Sequence, residues 1–196
     1  MMAAQMYNAF ASYYGQTGDM AKYNDYLAKA ENSIDRAIET NPARPTNYFF
    51  KAQLFMNRGK KDEAIRWLQK AVDLNPDYIE STCQLGRVEI YLGREKEGYK
   101  VLDTCIDKGG MANLPAEQLQ TLAKRYFDAK DYKRTALIYE YEVAANPKEG
   151  RLWASLADIY RLSKNKEKAI EAATKAGEVD PTLKVNADKF IENLRK

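Results

Sequence analysis

Residues 63–76 read EAIRWLQKAVDLNP, and residues 168–181 read KAIEAATKAGEVDP. Laid on one another, the Ala-Ile pair, the Lys-Ala pair and the closing Pro coincide, 105 residues apart. Two further prolines keep a shorter beat: Pro42 precedes Pro76 by 34 residues, and Pro147 precedes Pro181 by 34. Each follows Asn or Asp and closes an apolar-periodic stretch. Proline cannot continue a helix, so each marks a helix end and a turn. Small residues stand five and twelve positions before the prolines: Ala37 and Ala30, Ala71 and Ala64, Ala176 and Ala169. A turn residue such as Gly59 stands 17 before. A fixed period near 34 with small residues at fixed phase predicts stacked helical hairpins. The segment KGGMANLP, residues 108–115, adds three residues, so the 105-residue interval is three periods plus that insertion.

These residues resemble the tetratricopeptide repeat family. Its unit carries an aromatic at position 4, Leu-small at 7 and 8, an aromatic at 11, Gly near 15, Ala at 20 and 27, and Pro at 32. The last copy reads Trp153, Leu156-Ala157, Tyr160, Ala169, Ala176, Pro181. The second reads Tyr48, Ala52, Phe55, Gly59, Ala64, Leu68, Ala71, Pro76, with an untypical Lys51 where Leu is expected. The third has Leu85-Gly86, Gly93, Leu102 and Cys105, but Glu89 at an aromatic site and Gly98 at an alanine site. It lacks the closing Pro. The fourth has Leu119, Leu122-Ala123, Tyr126, Asp131-Tyr132, Tyr139 and Pro147, with Thr135 and Glu142 departing from the small positions. In the first, Tyr7, Phe10-Ala11, Tyr14 and Gly18-Asp19 set one helix, while Ala30, Ala37 and Pro42 come seven residues late. Seven residues are two helical turns, so the apolar face stays in phase, and a long second helix over about 19–40 is expected.

The resemblance implies an all-α fold, a right-handed α-solenoid of about five hairpins. The expected repeats fall at about 4–43, 45–78, 79–112, 116–149 and 150–182 of a single domain spanning 1–196. Leu183, Ala187, Phe190, Ile191 and Leu194 share one face of a helix over about 183–195, with charged residues on the other. That pattern predicts the capping helix a solenoid needs at an open end. The N-terminal end starts in an apolar-rich helix with Met2, Met6 and Phe10. Either a preceding segment covers it or it self-associates. Met1-Met2 reads as an initiator set before an excerpted segment or as a natural start.

Composition narrows the function. The formal net charge is +3 and the basic residues are interspersed, whereas a nucleic-acid binder concentrates them in a stripe. There is no histidine, which removes the imidazole-based triads and most zinc sites. No phosphate-cradling or nucleophile motif occurs, so no enzymatic role, cofactor or metal is expected. Cys83 and Cys105 stand 22 apart without CxxC and read as two free, partly buried thiols that leave the compartment open. No run of 18 apolar residues is present to span a membrane, and the first residues do not form a signal peptide.

What remains is a binding face. In the family, positions 2, 5, 9 and 12 of each first helix line a concave groove. Carried over, these are Gln5, Asn8 and Ser12; Thr46, Phe49, Gln53 and Met56; Glu80, Cys83, Arg87 and Ile90; Glu117, Gln120, Lys124 and Phe127; Arg151, Asp158 and Arg161. Phe49, Met56, Ile90 and Phe127 make an apolar strip, with Arg87, Lys124 and Arg151 beside it. This resemblance implies a non-catalytic scaffold for a protein or peptide of some acidic character. The branch that clamps a C-terminal carboxylate uses Lys at position 5 and Asn at position 9, a pair absent from every copy here. The stretch from Trp153 to Leu194 is also similar to the repeat-bearing C-terminal tail of bacterial O-antigen ligase family proteins. That likeness implies, as an alternative, a soluble extramembrane accessory domain recruiting partners for envelope polysaccharide assembly.

Overall fold

A computed structural model describes residues 2–196. Among these residues the chain is all-α, a helical-repeat fold with no strand. Six helices precede Lys108: α1 (Met2–Thr17), α2 (Met20–Thr40), α3 (Pro45–Asn57), α4 (Lys61–Leu74), α5 (Ile79–Tyr91) and α6 (Glu95–Asp107). They form one compact unit that ends at Lys108. A second unit, Gly109–Lys196, holds α7 (Ala116–Asp128), α8 (Tyr132–Ala145), α9 (Gly150–Leu162), α10 (Lys166–Val179) and α11 (Lys184–Arg195). Short 3-10 turns at Gly110–Asn113 and Pro181–Leu183 precede α7 and α11. The division falls inside KGGMANLP, the segment that breaks the 34-residue beat.

Inside the first unit α1 packs on α2, α3 on α4 and α5 on α6, and each pair packs on the next. In the second, α8, α9, α10 and α11 follow one another in contact. The long α2 is as the seven-residue lag predicts. Ala52 and Ala64 are buried in one cluster with Leu68, Leu85 and Val88. Ala157 and Ala169 are buried in another with Leu156, Tyr160 and Ala173. In α5 and α6 the approach is tighter still. A Cβ built on Gly98 would stand 2.8 Å from the Gly86 carbonyl oxygen, and one on Gly86 would stand 2.8 Å from Leu102. Gly98 at an alanine site is therefore a requirement of the crossing, since the two backbones leave no room for a methyl group.

The cysteines do not remain free thiols. Cys83 and Cys105 form a disulfide across α5 and α6, with Cα atoms 5.1 Å apart. Both are fully buried. Cys83 occupies position 5 of its repeat and Cys105 the small-residue position 27, which face each other across the hairpin. Cys83 thus leaves the groove and ties the hairpin together.

Phe190, Ile191 and Leu194 of α11 pack on the core formed by α9 and α10, and Ala187 is buried. The one-sided pattern read from the sequence lies against the preceding hairpin.

Each hairpin turns through a residue with positive φ at position 15. Gly18, Gly59 and Gly93 take it in the first three repeats, and Lys130 (φ 59°) and Lys164 (φ 62°) in the last two. The next residue starts the second helix. Asp131 and Asn165 cap it with side chains that accept from the backbone N–H three residues on, whereas Lys60 and Arg94 make no such bond. Both hairpins with a non-glycine turn carry this cap, as does the first, where Asp19 after Gly18 accepts from the Lys22 N–H. Left-handed backbone costs an L-residue roughly 1–2 kcal/mol, and glycine gives back part of that through its looser unfolded chain. Lys164→Gly should therefore raise stability by some tenths to about 1 kcal/mol, while Gly93→Ala should lower it by about 1 kcal/mol or more. Urea melts of the two variants should move in opposite directions; movement in the same direction would remove the shared turn geometry.

Candidate functional site

A partly buried charge cluster joins α2 to α3. Lys51 on α3 is only 5% exposed. Its ammonium bonds Glu31 at 3.1 Å and Asp35 at 2.5 Å, both on α2, and lies 5.8 Å from the Trp67 ring. Arg58 joins through Glu31 at 2.6 Å. The residue that departs from the family pattern thus couples the first two repeats electrostatically. Burial pushes the Glu31 carboxyl up, but bonds from Arg58 and Lys51 outweigh it and hold its pKa below the ordinary glutamate value. With both carboxylates engaged on one lysine, this cluster is a clamp between helices.

The predicted groove residues divide between the two units. In the first, Phe49 and Met56 pack half-buried against the core, and Phe49 meets Tyr78 edge-on at 5.7 Å. Gln53 is half-buried. Arg87 donates to Gln84 at 3.0 Å. Ile90 lies against Gly98, so its side chain serves the α5–α6 crossing.

In the second unit the structure brings three of them together. Gln120, Lys124 and Phe127 on α7 line a cavity of about 330 Å³ with Thr135, Tyr139 and Glu142 of α8 and Ala123. The spacing of four and three puts the three α7 residues on one face. Phe127 stays 44% exposed, and Tyr132 meets its ring edge-on at 5.8 Å. Lys124 pairs with Asp128 at 2.9 Å, an exposed contact of small energy that a ligand can replace. Burial raises the pKa of Glu142, and burial followed by the nearby Glu142 charge raises that of Tyr139. The cavity therefore offers an aromatic wall, one exposed cation at the mouth and a desolvated carboxyl within. Thr135 and Glu142 were visible as departures from the small positions, and both line this space. Arg151 is exposed on α9, and Asp158 is engaged by Arg161 at 2.7 Å; neither lines this cavity. On α1, Met2, Met6 and Phe10 are exposed at 85%, 49% and 42%.

A family model described as anaphase-promoting complex, cyclosome, subunit 3 matches residues 23–105, and the tetratricopeptide repeat model matches residues 150–183. The BBSome complex member BBS4 homolog of Drosophila melanogaster is 22% identical over 175 residues, covering 85% of this chain and 35% of that protein. The chain thus spans about a third of that relative's length. The solved structure of Naa15/Naa10 bound to HypK-THB aligns with a TM-score of 0.57 at 17% identity, over 91% of this chain and 25% of that one. This likeness shows the helical-repeat fold. The crystal structure of PilW, a widely conserved type IV pilus biogenesis factor, aligns with a TM-score of 0.48 at 16% identity, over 98% and 88% of the two chains.

Because the folded pKa of Glu31 is depressed, its contribution to stability is fully present above the unfolded glutamate pKa. It is lost as pH falls through the lower folded value. Wild type should therefore lose stability through the acid range more steeply than Glu31→Gln, read by thermal melts from pH 6 down to about pH 3. Parallel curves would show that the Lys51 cluster contributes no pH-dependent stability.

Proposed function

We propose that this tetratricopeptide-type helical-repeat chain is a non-catalytic scaffold that holds a polypeptide segment against the first helices of its hairpins. The observation that carries the reading is the α7–α8 cavity, where Gln120, Lys124 and Phe127 converge. Phe127 and Tyr139 take an apolar anchor, and Lys124 draws a carboxylate of the same segment. Desolvated anchors dominate such affinities, while charges at the rim set the rate of encounter. Phe49, Gln53, Met56 and Arg87 form the corresponding face of the first unit, with Ile90 given over to the α5–α6 crossing, and Arg151 and Asp158 extend that of the second. The partner is a protein or peptide with an acidic residue near its anchor. No cofactor enters this reading.

The test pairs capture with stability. Phe127→Ala, and Arg87→Glu combined with Lys124→Glu, should each lose the proteins captured from the native host by wild type. Melting temperatures should fall by no more than a few degrees, because Phe127 and Lys124 are exposed and half-buried Arg87 gives up one side-chain hydrogen bond. Unchanged capture by intact variants would place binding elsewhere on the chain.

A second reading, the soluble extramembrane domain of an O-antigen ligase-like membrane protein, is favoured by one observation. Disulfides such as Cys83–Cys105 persist in oxidising compartments, the periplasm among them. No helix among the described residues is long and apolar enough to cross a membrane. The reading frame upstream should then encode about ten apolar segments of spanning length; an upstream sequence without them removes this reading.

A further inference from the structure

The joint between successive hairpins is built twice from equivalent positions, once in each unit. In the first unit, Tyr48 (position 4) and Phe55 (position 11) of α3 flank the indole of Trp67 (position 23) on α4. Ring centroids lie 6.0 Å and 6.4 Å from it. The Tyr48 hydroxyl donates to the Pro42 carbonyl at 2.8 Å, and Asp35, at position 25 of the preceding repeat, accepts from Lys51. In the second unit, Trp153 (position 4) donates its indole N–H to the Pro147 carbonyl at 2.9 Å. The Tyr160 hydroxyl (position 11) donates to Glu140, again at position 25 of the preceding repeat. The frames correspond in outline: in both, the position-4 side chain donates to the proline carbonyl and the position-25 carboxylate is held by the next first helix, by Lys51 at position 7 in one and Tyr160 at position 11 in the other. The filling is different, because position 23 is Ala172.

The space that the indole takes up in the first unit is open in the second. A cavity of about 320 Å³ lies between α8, α9 and α10, walled by Val143, Trp153, Leu156, Tyr160 and Ala172. Glu140 and Lys168 stand at its edge, joined at 3.0 Å, and Glu171 lies beside them. A void that reaches solvent between an indole and a phenol ring gains from an aromatic guest through offset or edge contacts.

We propose that this slot is a binding site for an aromatic side chain, an indole before all others, presented by a partner polypeptide. The occupant is read from the chain itself: the first unit shows an indole seated in the corresponding frame. A guest indole enters edge-first between Trp153 and Tyr160, with its N–H directed to the carboxylates of Glu140 and Glu171. The site is lined by second helices as well as α9. It is therefore distinct from the α7–α8 cavity, and its test is independent of that reading.

The probe is N-acetyl-tryptophanamide, titrated into isotopically labelled full-length protein and followed by amide and indole NMR shifts. The expected result is saturable shifts confined to residues around Ala144, Trp153, Glu171 and Ala172, with N-acetyl-leucinamide at least several-fold weaker. Ala172→Trp should fill the slot from within, abolish those shifts and leave the melting temperature equal or higher. Trp67→Ala should create a second site in the first unit, seen as new saturable shifts around Tyr48 and Phe55, with its lowered melting temperature partly restored by the probe. Absence of saturable shifts in wild type overturns the proposal. So does a leucine analogue that binds as well, or an Ala172→Trp variant that is folded yet still takes the probe. A lowered melting temperature for Ala172→Trp would break the equivalence of the two slots and overturn it as well. Shifts of the same residues on concentrating the protein alone would assign the slot to a second copy instead of a partner.

Discussion

The fold depends on how closely two helical backbones pass each other inside each hairpin. Van der Waals packing between helices rises steeply as the axes close, and only small residues at the crossing allow it. Ala64 and Ala169 are fully buried at that point. In the third repeat the approach is tightest, with glycine on both helices and a disulfide beside them. Once the crossing is set, the aromatic positions on either side are fixed in space. The carbonyl before each turn proline becomes a fixed acceptor for Tyr48 and for Trp153. The same joint contact thus recurs in each unit.

The candidate sites lie where the pattern is relaxed. A residue that keeps the repeat rule is consumed by packing. One that breaks it opens or occupies space. Lys51 breaks it and is answered by Glu31 and Asp35, so the space is filled and the charge neutralised. Thr135 and Glu142 break it and line a cavity beside Lys124 and Phe127. Ala172 stands where its counterpart is Trp67 and leaves a slot between two aromatic rings.

Most of the architecture was legible in the sequence because helix ends, turns and crossings carry distinct residue types. The prolines, the small residues at 20 and 27 and the lag before Ala30 predicted the helices, including the long α2. The face carrying Phe190, Ile191 and Leu194 was legible from spacing alone. Pairing across a hairpin was less so. Cys83 and Cys105 have no motif between them, and a linear reading leaves them as thiols. Their register, position 5 facing position 27, contains the answer only once the crossing geometry is known. The groove residues were legible as a helix face, but whether a face opens into a cavity depends on what α8 sets opposite it. Gln120, Lys124 and Phe127 meet such a cavity, whereas Ile90 meets Gly98 and is used for packing.

Unfolding of Gly98→Ala in urea tests the crossing most directly, because two general effects predict opposite signs there. Alanine is the better helix former by about 1 kcal/mol, so an unconstrained helix would gain stability. The added Cβ would lie 2.8 Å from both the Gly86 carbonyl oxygen and the Ile90 backbone nitrogen, and backbone atoms cannot step aside cheaply. Close approach as the governing constraint predicts a net loss of about 1–3 kcal/mol. Unchanged or increased stability would contradict it.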